Sequence, residues 1–500
     1  MDATVAVIDV GSNSGRVVVV RVAPTGHLEI LADGRAPFRL ARDLAEGGRI
    51  GEETLRRTVG TLRDFRAVAE TLGAERLVAV ATAAVREAAN GDELVRRARR
   101  EAGLWIRVID GAEEARLSFL GAVHGLDVES GVVLDIGGGS LEVTRFVGRR
   151  PIRAWTFPLG ALRTSDHFLV TDPPRAEDAE RLRWHAVRMF AEAGVLPMRA
   201  GERLVGTGGT IRNLAKVDRR ARGYPIPRLH GYVLSISAAA AVAEALTTRP
   251  LARRRAIPGL NPDRADSVVG GAVVALALME TIGATELTVS GQGLREGVVL
   301  DAVPSAPQPV AAVREASVAS LAARFATFDP GRAERRAGLA ERLHRAIEPE
   351  DGPREVERTR LAATLLDVGA AIDHYRRHDH AADIVVQSDL VGLSHRELAL
   401  LAGTIRRAGD PDARWQEFRP LLGPEDGPRL ARAGTLLALA DEIERLAPGD
   451  AIDAVRAEAR RKRVTVTAPI HDPWRRESLG GRFARAFGRR LEIAPGSPER

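Results

Sequence analysis

Two short stretches hold residue types that can do chemistry together. Asp9-Val10-Gly11-Ser12-Asn13-Ser14 and Asp135-Ile136-Gly137-Gly138-Gly139-Ser140 each put a carboxylate just before a turn of glycine and small polar residues. Apolar runs flank both: Val5 to Ile8 and Val17 to Val20 around the first, Val132 to Leu134 and Leu141 to Val143 around the second. Strand, acidic glycine turn and strand therefore occur twice, 126 residues apart. Such a turn points several backbone N–H groups at one spot, a nest that suits phosphate oxygens. The Asp ahead of each turn suits a hard cation, held directly or through water. Two such hairpins face to face would grip a phosphate and its Mg2+ from both sides. A lone Asp-x-Gly turn is most often a capped strand end, and the pairing argues against that reading.

These turns need a scaffold, and the patterning predicts one. Leu55, Val59, Leu62, Phe65, Val68 and Leu72 recur at helical spacing and Gly73 closes the helix. Leu77 to Val80 reads as a buried strand, a helix follows over about 90–102, and Trp105 to Ile109 reads as another strand. Glu113 to Val123 is predicted helical with Leu117, Leu120 and Gly121 inward. After the second hairpin, Leu204-Val205 leads into Gly206-Thr207-Gly208-Gly209-Thr210 and a helix; another helix (Asp266 to Ile282) precedes a strand, Glu286 to Ser290. Strand–helix alternation implies two α/β domains of related build, 1–125 and 126–303. Pro304 to Pro309 reads as a linker, residues 311–447 as helical throughout, and 448–500 as a small basic α/β segment.

Five hundred residues exceed a single core and suggest roughly three or four domains. With no cysteine, disulfides and thiolate metal sites are excluded. No signal region is apparent, and the longest apolar stretch, Val268 to Met279, is too short to span a bilayer, so no membrane and a cytoplasmic location are expected. The net charge of +6 and pI near 10.3 invite a polyanion. Lys occurs only at Lys216 and Lys462, however, and so Arg-rich a composition also follows from G+C-rich codons. No specific nucleic-acid partner is indicated.

The chain resembles the exopolyphosphatase / guanosine pentaphosphate phosphohydrolase family of the actin-like and sugar-kinase ATPase superfamily. The resemblance rests on the turn at 9–14, ATAAVREAAN at 81–90, DGAEEA at 110–115, LDIGGGSLEV at 134–143, GTGGT at 206–210, LHGYVLS at 229–235, IPGLNPDRAD at 257–266 and GLREGVV at 293–299, in the family's order. It implies an α/β fold class: two actin-like ATPase (ribonuclease H-like) domains, then an all-helical HD-like domain and the small C-terminal segment. It also implies a phosphate and Mg2+ (or Mn2+) between the paired hairpins, water attack on a terminal phosphoanhydride, and a homodimer.

On this basis Asp9 and Asp135 are the expected metal carboxylates. Gly11, Ser12, Asn13, Ser14, Gly137, Gly138, Gly139 and Ser140 are expected on the phosphate. Gly15 stands where the family usually has a larger residue, which would loosen the first turn. Arg16 and Arg86 would offset phosphate charge, although a surface Arg is the plain reading in this composition. Glu113, starting the helix after Asp110-Gly111, is the position the resemblance gives to the catalytic base; the plainer reading is a carboxylate favoured by the helix dipole. Glu114 would point away by about 100°. Glu142 alternates onto the side of Ser140 and would assist metal or water, or only flank a strand. Gly208, Gly209 and Thr210, opening a helix, would meet phosphate through its N-terminus or merely pack strand on helix.

In the helical region Leu366 stands where an HD motif has His, while Asp367 remains, with His374, His378 and His380 downstream. A structural or polyanion-contacting role is expected there, with the basic run Arg460 to Arg463 extending a positive track. The leading expectation is Mg2+-dependent release of orthophosphate from inorganic polyphosphate. The alternative is removal of the 5′ phosphate of guanosine pentaphosphate. A phosphotransferase and a non-enzymatic alarmone or polyphosphate sensor are the readings of another class.

Overall fold

Strands that are apolar on both sides need cover on both faces. The computed structural model, which describes residues 3–24, 26–303, 309–447, 449–470 and 476–495, supplies it. The linker positions Pro304 to Gln308, the expected helix residue Arg475 and the last five residues lie outside the described residues. The chain divides into two compact units, Met1–Tyr224 with Arg228–Val313, and Pro225–Pro227 with Arg314–Arg500.

Unit 1 holds two sheets of duplicated topology. The first comprises β1 (Ala3–Val10), β2 (Ser14–Val22), β3 (Leu28–Pro37), β4 (Arg76–Ala81) and β5 (Ile106–Val108), in the order β3-β2-β1-β4-β5. The second comprises β6 (Gly131–Ile136), β7 (Leu141–Val147), β8 (Arg150–Phe157), β9 (Arg203–Thr207), β10 (Tyr232–Ser235) and β11 (Glu286–Val289), in the order β10-β11-β9-β6-β7-β8. In each, an antiparallel hairpin carries the acidic turn, a third antiparallel strand lies outside it, and the hairpin's first strand pairs in parallel with a later strand. This is the build of two actin-like lobes.

Alternation along β1 sorts its side chains. Ala6, Ile8 and Val10 pack with Leu55, Leu62, Leu94 and Ala98 of helices Glu52–Thr71 and Gly91–Ala102. Val5 and Val7 face Leu117, Val298 and Val299 on the opposite side. Leu117 belongs to helix Gly111–Val123, whose Phe119, Ala122 and Val123 pack on Val133, Phe146 and Val205 of the second sheet. One helix thus covers both sheets, which places its polar residues between the lobes. Glycine permits its close approach to helix Leu294–Ala302: a Cβ on Gly121 would lie 1.9 Å from the Gly293 carbonyl oxygen, and one on Gly297 1.8 Å from that of Leu117. The strand expected from Trp105 begins only at Ile106, and Trp105 is exposed beneath the Arg99 guanidinium at 3.6 Å.

Unit 2 is helical through Asp426–Leu446 and ends in a three-stranded sheet: β12 (Arg456–Ala459), β13 (Arg463–Ala468) and β14 (Arg490–Pro495), with helix Arg476–Phe487 joining the parallel pair β13 and β14. Leu366 is fully buried. Asp367 accepts from Arg336 Nη1 at 2.7 Å, and the same nitrogen reaches Asp441 at 2.9 Å. The fully buried Arg336 guanidinium joins these two carboxylates, and Arg377 adds a bond to Asp441 at 2.9 Å. Helix Arg377–Gln387 starts after His374, so His374 and His378 do not share a helix face.

Candidate active site

Both acidic turns are stitched from behind in the same way. In the first, the Ser12 carbonyl accepts from Ala41 N and that of Asn13 from Phe38 N and Arg39 N. In the second, Gly137 O accepts from Ala161 N and Gly138 O from Leu162 N and Arg163 N. Phe38 fills the space that a side chain at residue 15 would take, its ring 2.1 Å from an ideal Cβ, so Gly15 leaves no gap. The turns meet each other: a Cβ on Gly138 would lie 3.2 Å from Ser12 Cβ, and one on Gly139 3.1 Å from Ser12 Oγ. Gly208, at φ +90°, brings the third loop so close that its Cβ would lie 2.6 Å from Asp135 Oδ1.

The resulting cleft, a cavity of about 120 Å³, is lined by Asp9, Gly11 to Ser14, Arg16, Asp135, Gly137 to Ser140, Gly208 and Gly209, all expected there. It is also lined by Thr82, Glu114, Thr207, Arg212, Arg264, Arg295 and Glu296. Thr210, Arg86, Glu142 and Glu113 do not line it. Thr210 is buried against the Gly271 backbone position, beneath the loop.

The expectation for Glu113 is corrected. Its side chain points outward, ion-paired with Arg107 at 2.5 Å, and its backbone N–H is capped by Asp110 Oδ1 at 2.8 Å. Glu114 is the inward residue, buried on the stripe it shares with Leu117, Ser118 and Gly121. Arg86 stands behind it: Nη1 donates to the Ile109 carbonyl at 2.6 Å and lies 3.3 Å from Glu114 Oε2. Glu142 is buried beside it and pairs with Asp135 across β6 and β7. Arg86 and Glu142 therefore act on Glu114 rather than reach into the cavity.

The site separates charge. Burial, chiefly, holds Glu114 well above the carboxylate range; Arg86 opposes this, while Asp135 and Asp9 add to it. Burial pushes Glu142 up too, reinforced by Glu114 and Asp135. Asp9 is raised to about 6, by burial first, with Arg295 and Arg16 opposing. Asp135 is raised by burial even though Ser118 Oγ donates to its Oδ2 at 2.7 Å. Opposite these acids, burial and then Arg212, Arg295 and Arg264 lower Arg16 to about 9, and burial, Arg35 and Arg212 lower Arg264 to about 10. Arg212 is lowered by burial and Arg295. All remain cationic at neutral pH.

A divalent cation fits the acidic side. Asp9 Oδ1 is buried without a hydrogen-bond partner among the described residues, and Asp135 adds to the burial that raises Asp9. No group of three metal-ligating side chains is assembled among the described residues. Asp9 and Asp135 supply the one or two carboxylates that a hydrated hard cation takes. The basic side suits phosphate oxygens.

Residues 18–306 match the Ppx/GppA phosphatase family, and residues 313–467 match Ppx/GppA phosphatase, domain III. The chain belongs to the Ppx/GppA phosphatase family. It is accordingly a phosphoanhydride hydrolase of the exopolyphosphatase type. It is 31% identical over 312 residues to Exopolyphosphatase 1 of Mycobacterium leprae (strain TN), covering 62% of this chain and 92% of that one. It is 32% identical over 316 residues to Exopolyphosphatase 1 of Mycobacterium tuberculosis (strain ATCC 25618 / H37Rv), with the same coverage. Among solved structures, the Ppx/GppA family member of Aquifex aeolicus superposes with a TM-score of 0.54 at 29% identity, covering 60% of this chain and 98% of that one. An exopolyphosphatase from Cytophaga hutchinsonii ATCC 33406 gives 0.55 at 27% identity, covering 60% and 98%. No described helix is long and apolar enough to cross a membrane.

Arg212, Arg264 and Arg295 lie in GTGGTIR, NPDRAD and GLREGVV, motifs apparent in the sequence, but without a signal there for which of their residues faces the cleft. Glu114 did have a signal: the inner face of Leu117 and Gly121 extends one turn back to it.

Proposed function

We propose that this protein is a Mg2+-dependent exopolyphosphatase that hydrolyses the terminal phosphoanhydride of inorganic polyphosphate and releases orthophosphate. The observation that carries the reading is buried Glu114, set between Asp9, Asp135 and Arg86 and opening onto a cleft with four guanidiniums. Mg2+, held by Asp9 and Asp135, would neutralise charge on the reacting phosphate.

The chain's own residues supply the rest. Backbone N–H groups of the two turns hold the terminal phosphate, and Arg16, Arg212, Arg264 and Arg295 offset its charge. Glu114 orients a water and takes its proton as the new oxygen–phosphorus bond forms. The bond to the bridging oxygen breaks, and its electron pair stays on the shortened chain beside the guanidiniums. Burial raises the basicity of Glu114 towards neutrality, while Arg86 keeps an ionised fraction available.

A second reading has a specific observation in its favour. A larger pocket of about 690 Å³ shares Ser12 and Gly139 with the cleft and is lined by Leu44, Phe168, His167 and His185. Arg163, the one guanidinium lining it among the described residues, is paired with Glu87. Such walls suit a heterocycle, and guanosine pentaphosphate has one.

The test compares phosphate release from long-chain polyphosphate, tripolyphosphate and guanosine pentaphosphate for wild type, Glu114→Gln and Glu113→Gln. Glu114→Gln is expected to lower kcat by about 10²–10⁴-fold with little change in KM, and Glu113→Gln to stay within about threefold. The reverse ranking would overturn the assignment of the base. A preference for guanosine pentaphosphate would favour the second reading.

A further inference from the structure

Four cationic side chains form two like-charged pairs, one on each lobe, that lead away from the cleft. Asp9, Arg16 and Arg35 stand in one row across β1, β2 and β3, with Asp9 opposite Arg16 and Arg16 opposite Arg35. Directly opposed residues project from the same face, so Arg35 continues the line from the cavity through Arg16 to the outer strand. On the other lobe, Arg212 and Lys216 are one turn apart on helix Gly208–Ala221, with Arg212 in the cleft and Lys216 beyond it. Arg264 lies between the rows, 3.5 Å from Ser14 Oγ.

Like charges at these spacings destabilise a strand pair or a helix. Arg35 and Lys216 are exposed, and neither makes an ion pair among the described residues that would relieve the repulsion. Burial and then Arg212, Arg219, Arg16 and Arg35 lower the Lys216 ammonium, so guanidiniums of both lobes reach it. A ligand with a negative charge on every unit relieves the two rows together, whereas a single terminal phosphate reaches only the inner members.

We infer that Arg35 and Lys216 form an outer subsite that holds internal phosphates of a chain whose terminal phosphate occupies the cleft. This rests on the polyphosphate reading above and adds that these two residues set the preference for long over short chains.

Arg35→Ala, Lys216→Ala, the double variant and charge-conserving Lys216→Arg are made in the full chain. The value of kcat/KM is measured on long-chain polyphosphate and on tripolyphosphate over a range of ionic strength. Each alanine variant is expected to lose about fivefold on the long chain at low salt, the double variant more, and both to stay within about twofold on tripolyphosphate. Lys216→Arg should restore the long-chain rate, and the double variant should show a flatter salt dependence. Equal losses on both substrates, or no loss on the long chain, would overturn the inference. If wild type turns over polyphosphate and the double variant is unaltered, the inference alone fails. If wild type leaves polyphosphate intact, the parent reading fails and the subsite with it.

Discussion

Asp9→Asn should stabilise the ligand-free protein while disabling it. Asp9 is half-buried with its Oδ1 shielded from solvent, and burial raises its carboxyl from 3.8 to about 6. The sign follows from that direction. A folded pKa above the unfolded one means that the contribution to stability is fully present below about pH 4 and is lost as pH rises through 6. The shift of about two units corresponds to about 3 kcal/mol, as an order of magnitude, withheld from the fold at pH 8. An amide of the same shape carries no charge to desolvate, though it leaves polar atoms short of partners; a net gain of about 1–2 kcal/mol is the reasonable expectation. In a unit of this size that raises Tm by about 2 °C or more. Scanning calorimetry on both proteins at pH 5 and pH 8, in chelator, reads it: the variant should melt higher at pH 8 and lose most of its advantage at pH 5. Mg2+ with phosphate should raise Tm of wild type more than that of the variant, and rate titrated against Mg2+ should show a weakened response. A variant that melts lower than wild type at pH 8 without ligand, or keeps the wild-type pH slope, would refute the claim that Asp9 is held ionised against its surroundings for a cation.

Two further predictions concern other parts of the molecule. Because Glu114 must be ionised to take a proton and is raised by burial, the acid limb of kcat/KM should lie above the usual carboxylate range; Arg86→Ala removes the opposing guanidinium and should move the limb higher, while Glu142→Gln, at a carboxyl that burial itself keeps protonated, should leave it nearly in place. A limb that stays put in Arg86→Ala would detach Arg86 from Glu114. A chain ending at Val313 contains the whole of unit 1 and should fold, checked by circular dichroism, and hydrolyse tripolyphosphate within about threefold of the full chain; loss of activity in a folded truncation would assign unit 2 a part in the chemistry.

The twin turns were legible because their signal is local: apolar strand, carboxylate, glycine, strand. The helices over 52–71, 91–102 and 111–123 were legible from spacing for the same reason. The edge strands β3 and β8 were not. Arg150 to Trp155 is largely exposed and mixes arginine with apolar residues, so no alternation marks it. Glu113 was misplaced for a reason of phase. At a helix start, adjacent glutamates differ by about 100°, and both satisfy the dipole. What distinguishes them lies further along: Ser118, bonded to Asp135, and Gly121, pressed against Gly293, fix the rotation that turns Glu114 inward. The cleft arginines depend on contacts between segments far apart in the chain, such as Arg264 beside Ser14. Spacing cannot supply such contacts.

The distribution of unpaired charge explains why the parts belong to one site. Buried acids and buried guanidiniums elsewhere in this protein neutralise each other, as Arg145 does with Glu202 and Arg336 with Asp367 and Asp441. In the cleft Asp9 and Asp135 make no ion pair with Arg16, Arg212 or Arg264 among the described residues, although Arg295 lies 3.8 Å from Glu296. Asp9 in the cleft and Glu142 beside Glu114 each keep an oxygen without a partner among the described residues, and burial and then neighbouring guanidiniums depress Arg16 and Arg264. Collapsing the two sets into ion pairs would stabilise the fold, and the stitched turns, with Gly208 against Asp135, prevent it. A phosphate bound with its cation satisfies both sets at once: the cation meets the carboxylates and the phosphate oxygens meet the guanidiniums. Neither alone does so. Metal and phosphate should therefore bind cooperatively, and the separation of these acids from the guanidiniums favours a metal-bound phosphoanhydride over a free anion.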